Sequence, residues 1–151
     1  MVDTKAQNEA EKWIREVYLP KKYGQSFRQK NLELQSRAQA KFAAVSEDGE
    51  IVAAISTCVG FTSGGRKNEN ELNKTRTDAL RFLMLDYIPK ERLMIFTEQS
   101  MIDLVKDEKK RDRFPKELKI VKVKLPPDLA ERVEEAQRIA SEEVSPSRES
   151  T

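Results

Sequence analysis

The feature that most constrains the fold is a pair of apolar segments separated by an Asp-Gly dipeptide. They lie within residues 41–57, and the dipeptide is Asp48-Gly49. Asp-Gly favours a two-residue hairpin turn, because both residues tolerate positive φ. Such a turn pairs the two segments as antiparallel strands and places Ala43 opposite Ala54. The sequence therefore predicts a β-hairpin with a defined register.

Alternation of side chains assigns every hairpin residue to a face of the sheet. The first predicted face carries Lys41, Ala43, Val45, Val52, Ala54 and Ser56. The second predicted face carries Phe42, Ala44, Ser46, Ile51, Ala53, Ile55 and Thr57. A shift of one residue in the turn would exchange the two faces, so this assignment depends on the turn.

The composition indicates a highly charged surface over an ordinary core. The chain has 151 residues, of which 36% are charged and 38% hydrophobic, and its net charge is +2. This length suits one domain, which we expect to span residues 1–143, with a disordered tail at residues 144–151. The small net charge gives only weak support for nucleic-acid binding.

The absence of histidine excludes the most chemistry. It removes Ser-His-Asp and Cys-His catalysis and every His-ligated metal site. A metal would need oxygen ligands, which favours Mg²⁺-type ions. No GxxxxGK[ST] or GxGxxG nucleotide loop is present. The single cysteine, Cys58, suits a reducing cytoplasm, and no apolar stretch is long enough for a membrane span. The polar segment from Met1 to Lys12 lacks the apolar core of a signal peptide.

Hydrophobic periodicity predicts an α/β protein with a mixed sheet, an antiparallel hairpin and flanking helices. Residues 26–34 are compatible with either a helix or a short strand. The other predicted elements are a helix over 5–19 ended by Pro20, the hairpin at 41–57, a long helix from Asn70 with Leu72, Ala79, Leu80, Leu83 and Met84 buried, a strand at 92–97, a helix capped by Ser100, a lysine-rich edge strand at 119–125 and a last helix from Pro126 to about Glu143.

This order resembles the restriction-endonuclease-like, or PD-(D/E)XK, superfamily over roughly residues 10–98. The resemblance rests on a Phe-x-Ala-Val strand, an acidic turn and an Ile-Val-x-x-Ile-x-Thr strand before a long helix. Members of that family place an Asp on the first hairpin strand and a Glu-x-Lys on the second, where they bind Mg²⁺ and activate water. Those three positions fall here on Ala43, Ala54 and Ser56. The resemblance thus implies the fold but not its catalytic groups.

Other side chains could replace the missing groups. Lys41 shares the predicted face with Ser56, and Glu33 on the preceding segment could supply a carboxylate. Lys67 or Lys74 could enter from the following loop or helix. The plainer interpretation is that these residues are solvated surface charges.

A glycine-rich loop is the remaining candidate site. It consists of Ser63, Gly64, Gly65, Arg66, Lys67 and Asn68, and leads towards Lys74 on the predicted long helix. Glycines allow close approach of the backbone to a ligand, and a helix N-terminus attracts anions. Arg66 and Lys67 could therefore bind phosphate groups of DNA or RNA. The alternative is a flexible connection with solvated charges.

The sequence thus favours a nuclease-like domain that binds DNA or RNA without cleaving it and needs no cofactor. One alternative is an active Mg²⁺-dependent nuclease with relocated site residues. Another is a protein-assembly subunit, which would form a homodimer or bind a protein partner through the strand at 119–125 or the last helix. We expect a cytoplasmic location, no metal site and no membrane contact.

Overall fold

The protein is an α/β structure built on a five-stranded mixed sheet. The computed structural model describes residues 4–62 and 64–149, the last nine of these as backbone only. The elements are α1 (Lys5–Trp13), a π-helical turn (Ile14–Tyr18), α2 (Leu19–Tyr23), β1 (Phe27–Glu33), β2 (Gln39–Ser46), β3 (Ile51–Ser56), α3 (Glu69–Leu83), β4 (Glu91–Phe96), α4 (Gln99–Lys110), β5 (Lys119–Lys122) and α5 (Pro127–Glu149).

The strand order follows the chain from β1 to β5. The first three strands are antiparallel neighbours, whereas β4 and β5 run parallel to β3. This arrangement confirms the predicted mixed sheet with an antiparallel hairpin and flanking helices. The segment that the sequence left open is the edge strand β1, and the lysine-rich strand β5 forms the opposite edge, as predicted.

The hairpin has the predicted register but a wider turn. Val45 pairs with Val52, as expected. The backbone N–H of Gly49 donates to the Ser46 carbonyl at 2.9 Å, and only Gly49 in the loop of residues 47–50 has a positive φ, of 76°. The predicted two-residue turn is therefore wrong. The register survives because a four-residue loop removes one residue from each strand.

Strand β2 contains a β-bulge that the sequence did not predict. Arg28 of β1 pairs with Val45, whereas Lys30 pairs with Phe42. Residues 43 and 44 thus oppose a single residue of β1. The bulge brings Phe42 into the same core cluster as Val45, where strict alternation would have placed the side chain of residue 43.

The bulge also separates two positions that were expected to share a face. Ala54 belongs to the core under α3 and α4, but Ala43 packs against the core on the other side of the sheet. The prediction of a common face for them is wrong, because a bulge changes the direction of the side chains that precede it. The pairing of β2 with β3 covers Ala44 with Ala53 and Val45 with Val52.

Two hydrophobic clusters lie on opposite faces of the sheet. Side chains of α3 and α4 cover one face, and those of α1 and α5 cover the other. Leu72 and Ala79 of α3 are buried as predicted, but Leu80 and Leu83 are 57% and 40% exposed, so the predicted stripe is partly wrong. Phe82 fills the core at the end of the helix instead.

The N-terminal helix does not end at Pro20. A π-helical turn, in which the Leu19 N–H donates to the Ile14 carbonyl, connects α1 to α2. Pro20 then lies in the first turn of α2, directly after this π-helical turn, and has no N–H to donate to the preceding turn. The helix ends at Gly24, whose φ of 71° suits a left-handed cap.

Two further predictions concern α4 and α5. Ser100 does not cap α4; Glu98 holds the cap position, while the Ser100 hydroxyl accepts a hydrogen bond from Gly60 N–H at 2.8 Å. Helix α5 continues to Glu149, so the expected tail at 144–151 overlaps it, and residues 150 and 151 lie outside the described residues. Within the described ranges, no helix combines the length and apolarity needed to cross a membrane.

Candidate functional site

A charged cleft of about 340 Å³ lies between β2 and β3, beyond their paired residues. Side chains of α1, β1 and α3 complete its walls. The lining residues are Glu11, Gln29, Lys41, Phe42, Ala43, Ala54, Ile55, Lys74, Asp78 and Arg81. Three cations and two carboxylates thus border the cleft, together with Ala43 and Ala54, two of the three positions at which the resemblance implied catalytic residues. We call this region the β2–β3 cleft.

Arg15 joins the N-terminal helix to the wall of the cleft. It lies in the π-helical turn, and its Nη1 atom donates to the Ala43 carbonyl at 3.2 Å. Its guanidinium is also 3.8 Å from Glu11 on the preceding turn. The Arg15 contact satisfies a carbonyl of the bulge, so the same side chain supports the bulge and places α1 beside the cleft.

Helix α3 supplies three charged side chains at positions four and three residues apart, which places them on one side of the helix. They are Lys74, Asp78 and Arg81. Burial raises the pKa of Asp78, and the nearby carboxylates of Glu71 and Glu11 raise it further, whereas Lys74 and Arg81 lower it. The net effect is a raised pKa, so the cations only partly offset the cost of a charged Asp78 in this cleft.

Ser56, where the resemblance implied a catalytic lysine, forms a hydrogen bond instead. The buried Ser56 hydroxyl donates to Oε2 of Glu71 at 2.5 Å, and Nζ of Lys74 is 4.0 Å from the same oxygen. Glu71 therefore links the end of β3 to a cation of the cleft. Burial, with the Glu71 carboxylate beside it, raises the pKa of the Cys58 thiol to about 12, so this cysteine is protonated at neutral pH and a poor nucleophile.

The glycine-rich loop closes on itself. Thr62 N–H donates to the Arg66 carbonyl at 2.8 Å, and Gly65 N–H donates back to the Thr62 carbonyl at 2.9 Å. The φ of Gly65 is 77°, which explains a glycine there. Gly64 is exposed in the same turn, and Ser63 lies outside the described residues.

The loop leads into a helix N-terminus that already has a cap. The Asn68 side chain accepts from Glu71 N–H at 3.3 Å, and Glu69 adds a negative charge to the first turn. An anion at this helix end would compete with both groups. The phosphate hypothesis for the loop therefore rests on the exposed side chains of Arg66 and Lys67.

The structure places one of the two proposed substitute residues in the cleft. Lys41 lines it and forms no salt bridge with another described residue. Glu33 lies at the end of β1, where it pairs with Arg37 at 3.7 Å, and is not among the lining residues. The carboxylates of the cleft are Glu11 and Asp78, which the sequence analysis missed because the only signal was the spacing of Asp78 from Lys74.

Nothing among the described residues groups three acidic or cysteine side chains closely enough to suggest a metal centre. Comparison with models of known families, with curated proteins and with solved structures found no match. The class of protein is thus defined by the fold and the site alone. It is an α/β protein with an open mixed sheet and a charged cleft where the second and third strands separate.

Proposed function

We propose that the protein binds DNA or RNA through the phosphate backbone at the β2–β3 cleft. The observation that carries this proposal is a pair of cations without a salt bridge: neither Lys41 nor Arg81 forms one with another described residue, although Arg81 acts electrostatically on Asp78. Lys74 adds a third ammonium group, 4.0 Å from Glu71. Unpaired Lys and Arg side chains in a concave site suit an anionic polymer.

The exposed loop provides a second group of cations. Arg66 and Lys67 precede α3, the helix that carries Lys74 and Arg81 into the cleft. A nucleic-acid strand that contacts both would follow one side of α3. Contacts of this kind fix position on the backbone rather than read base sequence.

The residue types at the family positions favour binding over cleavage. Ala43 and Ala54 present methyl groups, which do not bind a metal ion, and the Ser56 hydroxyl donates to Glu71. A cytoplasmic location stays a prediction.

The test is fluorescence anisotropy with labelled single- and double-stranded DNA and RNA over a range of salt concentrations. We expect salt-sensitive binding by the natural protein. The cleft variant Lys41→Ala/Arg81→Ala should bind more weakly, with a log–log salt slope reduced by about one for each lost contact. Lys106→Ala/Lys110→Ala is the matched control, since both lysines are exposed on α4.

The loop variant Arg66→Ala/Lys67→Ala separates the two surfaces. A loss of affinity in the loop variant alone would move the site from the cleft to the loop. No binding by the natural protein, or equal binding by the cleft, loop and control variants, would overturn the proposal.

One observation favours an active Mg²⁺-dependent nuclease as a second candidate. Glu11 and Asp78 line the same cleft as Lys41 and are near enough for the charge on Glu11 to raise the pKa of Asp78. Carboxylate oxygens suit Mg²⁺, which when bound would stabilise charge on the phosphate. This candidate predicts Mg²⁺-dependent cleavage that Glu11→Gln or Asp78→Asn abolishes. Glu33→Gln, outside the cleft, is its control.

A further inference from the structure

A second and larger cavity, of about 740 Å³, lies on another part of the molecule. It is bordered by Thr97, Glu98, Lys122, Lys124, Leu125, Pro127, Ala130, Val133 and Glu134. None of these residues lines the β2–β3 cleft. We call it the β4–β5 cavity.

The β4–β5 cavity occurs where open α/β sheets commonly bind ligands. Thr97 directly follows β4, and Lys122 is the last residue of the parallel strand β5. The first turns of α5 form the remaining wall through Ala130 and Val133. The carboxyl ends of neighbouring parallel strands, covered by a helix, form the crevice in which such sheets hold small molecules.

The charges in this cavity are balanced but not paired. It has two carboxylates, Glu98 and Glu134, and two ammonium groups, Lys122 and Lys124. None of the four forms a salt bridge with another described residue. Glu98 is half-buried, and burial together with Glu134 raises its pKa, while Thr97 and Lys122 lower it. Lys122 acts on Glu98 from beyond salt-bridge distance, and Lys122, Lys124 and Glu134 are exposed, so a ligand with both charges has access to all four groups.

Between the charged groups the wall is apolar. Leu125 and Val133 are 6% and 2% exposed and belong to the core, and Ala130 is partly buried against the same cluster. Pro127 adds ring carbons at the start of α5. A short aliphatic side chain placed here would contact a rigid apolar surface.

We propose that the β4–β5 cavity binds a small zwitterion, namely an α-amino acid with a branched aliphatic side chain. Its ammonium group would contact Glu98 and Glu134, and its carboxylate would contact Lys122 and Lys124. The aliphatic chain would lie against Leu125. This site does not depend on nucleic-acid binding, because it shares no residue with the β2–β3 cleft.

The experiment is isothermal titration calorimetry of the full chain with three related ligands. L-leucine carries both charges, 4-methylpentanoate lacks the ammonium group and 3-methylbutylamine lacks the carboxylate. We expect L-leucine to bind about tenfold or more tightly than either truncated ligand, because each loses charge-assisted hydrogen bonds. Binding of L-leucine no tighter than the truncated ligands, or no binding at all, would overturn the proposal.

Variants locate the binding site. Glu98→Gln removes one charge without changing the shape of the side chain, and should weaken L-leucine about tenfold with less effect on 4-methylpentanoate. Lys122→Met should weaken both of these ligands while leaving 3-methylbutylamine little changed. Lys119→Met is the matched control, since Lys119 lies at the other end of β5 and pairs with Glu91 at 3.6 Å.

Circular dichroism and a thermal melt confirm that each variant is folded. Unchanged L-leucine affinity in folded Glu98→Gln and Lys122→Met would refute the assignment of the ligand to this cavity. A loss of affinity in Lys119→Met equal to that in Lys122→Met would refute it as well.

Discussion

Helix α3 borders two regions that differ in whether their carboxylates have salt-bridge partners. On one side, Arg76 donates from Nε to Oε1 of the buried Glu108 on α4 at 2.8 Å, and its Nη2 contacts the same oxygen. Arg113 is 3.9 Å from the other Glu108 oxygen. On the other side, Asp78 lies in the β2–β3 cleft and forms no salt bridge with another described residue.

The difference separates charges that hold the fold from charges that remain for a ligand. Glu108 is 4% exposed and has two arginines, as a buried carboxylate requires. Asp78 is only two residues from Arg76, yet its pKa is raised because burial is incompletely compensated. Glu71 is intermediate, since a hydroxyl donates to it at 2.5 Å and a lysine lies 4.0 Å away. The three carboxylates thus differ in how fully their charge is compensated, most for Glu108 and least for Asp78. Three substitutions test this ranking.

Replacing Arg76 should have the largest effect on stability. In Arg76→Met the buried Glu108 keeps only the more distant Arg113. We expect the free energy of unfolding to fall by about 2 kcal/mol, below the cost of breaking a fully buried pair because Arg76 is 39% exposed. Urea denaturation at pH 7 measures this change in the free energy of unfolding. The affinity for nucleic acid should not change.

Arg111→Met is the control for this substitution. Arg111 pairs with Asp107 at 3.2 Å on the surface of the same region, with both side chains exposed. Such a pair contributes at most about 1 kcal/mol. An equal fall in the free energy of unfolding in Arg76→Met and Arg111→Met would show that the contact with Glu108 stabilises the fold no more than a surface ion pair does.

Removing the Ser56 hydroxyl should have a smaller effect. In Ser56→Ala the buried Glu71 loses its donor at 2.5 Å. We expect a loss of about 1.5 kcal/mol, the usual cost of an unsatisfied buried acceptor, in thermal or urea denaturation. The control is Thr77→Ala, whose hydroxyl donates to the Asn73 carbonyl on the surface. Stability equal to that of the control would mean that water or Lys74 replaces the hydroxyl.

Neutralising Asp78 should have the smallest effect and the opposite sign. Because its pKa in the folded protein is raised above the ordinary 3.8, the folded state holds the proton more tightly. The contribution of Asp78 to stability is therefore fully present below pH 3.8 and is lost as the pH rises through the raised pKa. Asp78→Asn should be more stable than the natural protein at pH 7, by less than about 1 kcal/mol.

Urea denaturation at two pH values checks this sign. The advantage of Asp78→Asn should shrink as the pH falls towards 3.8, where the natural carboxyl is increasingly protonated.

If phosphate binds in the cleft, Asp78→Asn should also raise nucleic-acid affinity, whereas Glu131→Gln on the exposed surface of α5 should not. A variant less stable than the natural protein at pH 7 would contradict the comparison between the two regions.

The sequence predicted most of the local structure because local patterns decide it. Alternating apolar residues and the Asp-Gly dipeptide were enough for the hairpin register, and the sequence signals located the starts of α3, α4 and α5 to within about two residues, but not the end of α5. It failed at Pro20, where a π-helical turn lets the helix continue, and at Leu80 and Leu83, where helical periodicity alone could not say which positions meet the sheet.

The candidate site was predicted only in part. Lys41 and Lys74 were named in advance and lie in the cleft, but Glu33 does not. Glu11 and Asp78 were missed, since they are distant in sequence and become neighbours only when α1 and α3 border the same opening.

The sequence by itself determined the mixed sheet and the hairpin register, because these follow from residue type and spacing. The tertiary structure decided where the sheet opens. A bulge in β2 depends on its pairing with β1, and the Arg15 contact that supports it crosses 28 positions of the chain. The cleft, its unpaired cations and the raised pKa of Asp78 all arise from contacts between elements that no local pattern encodes.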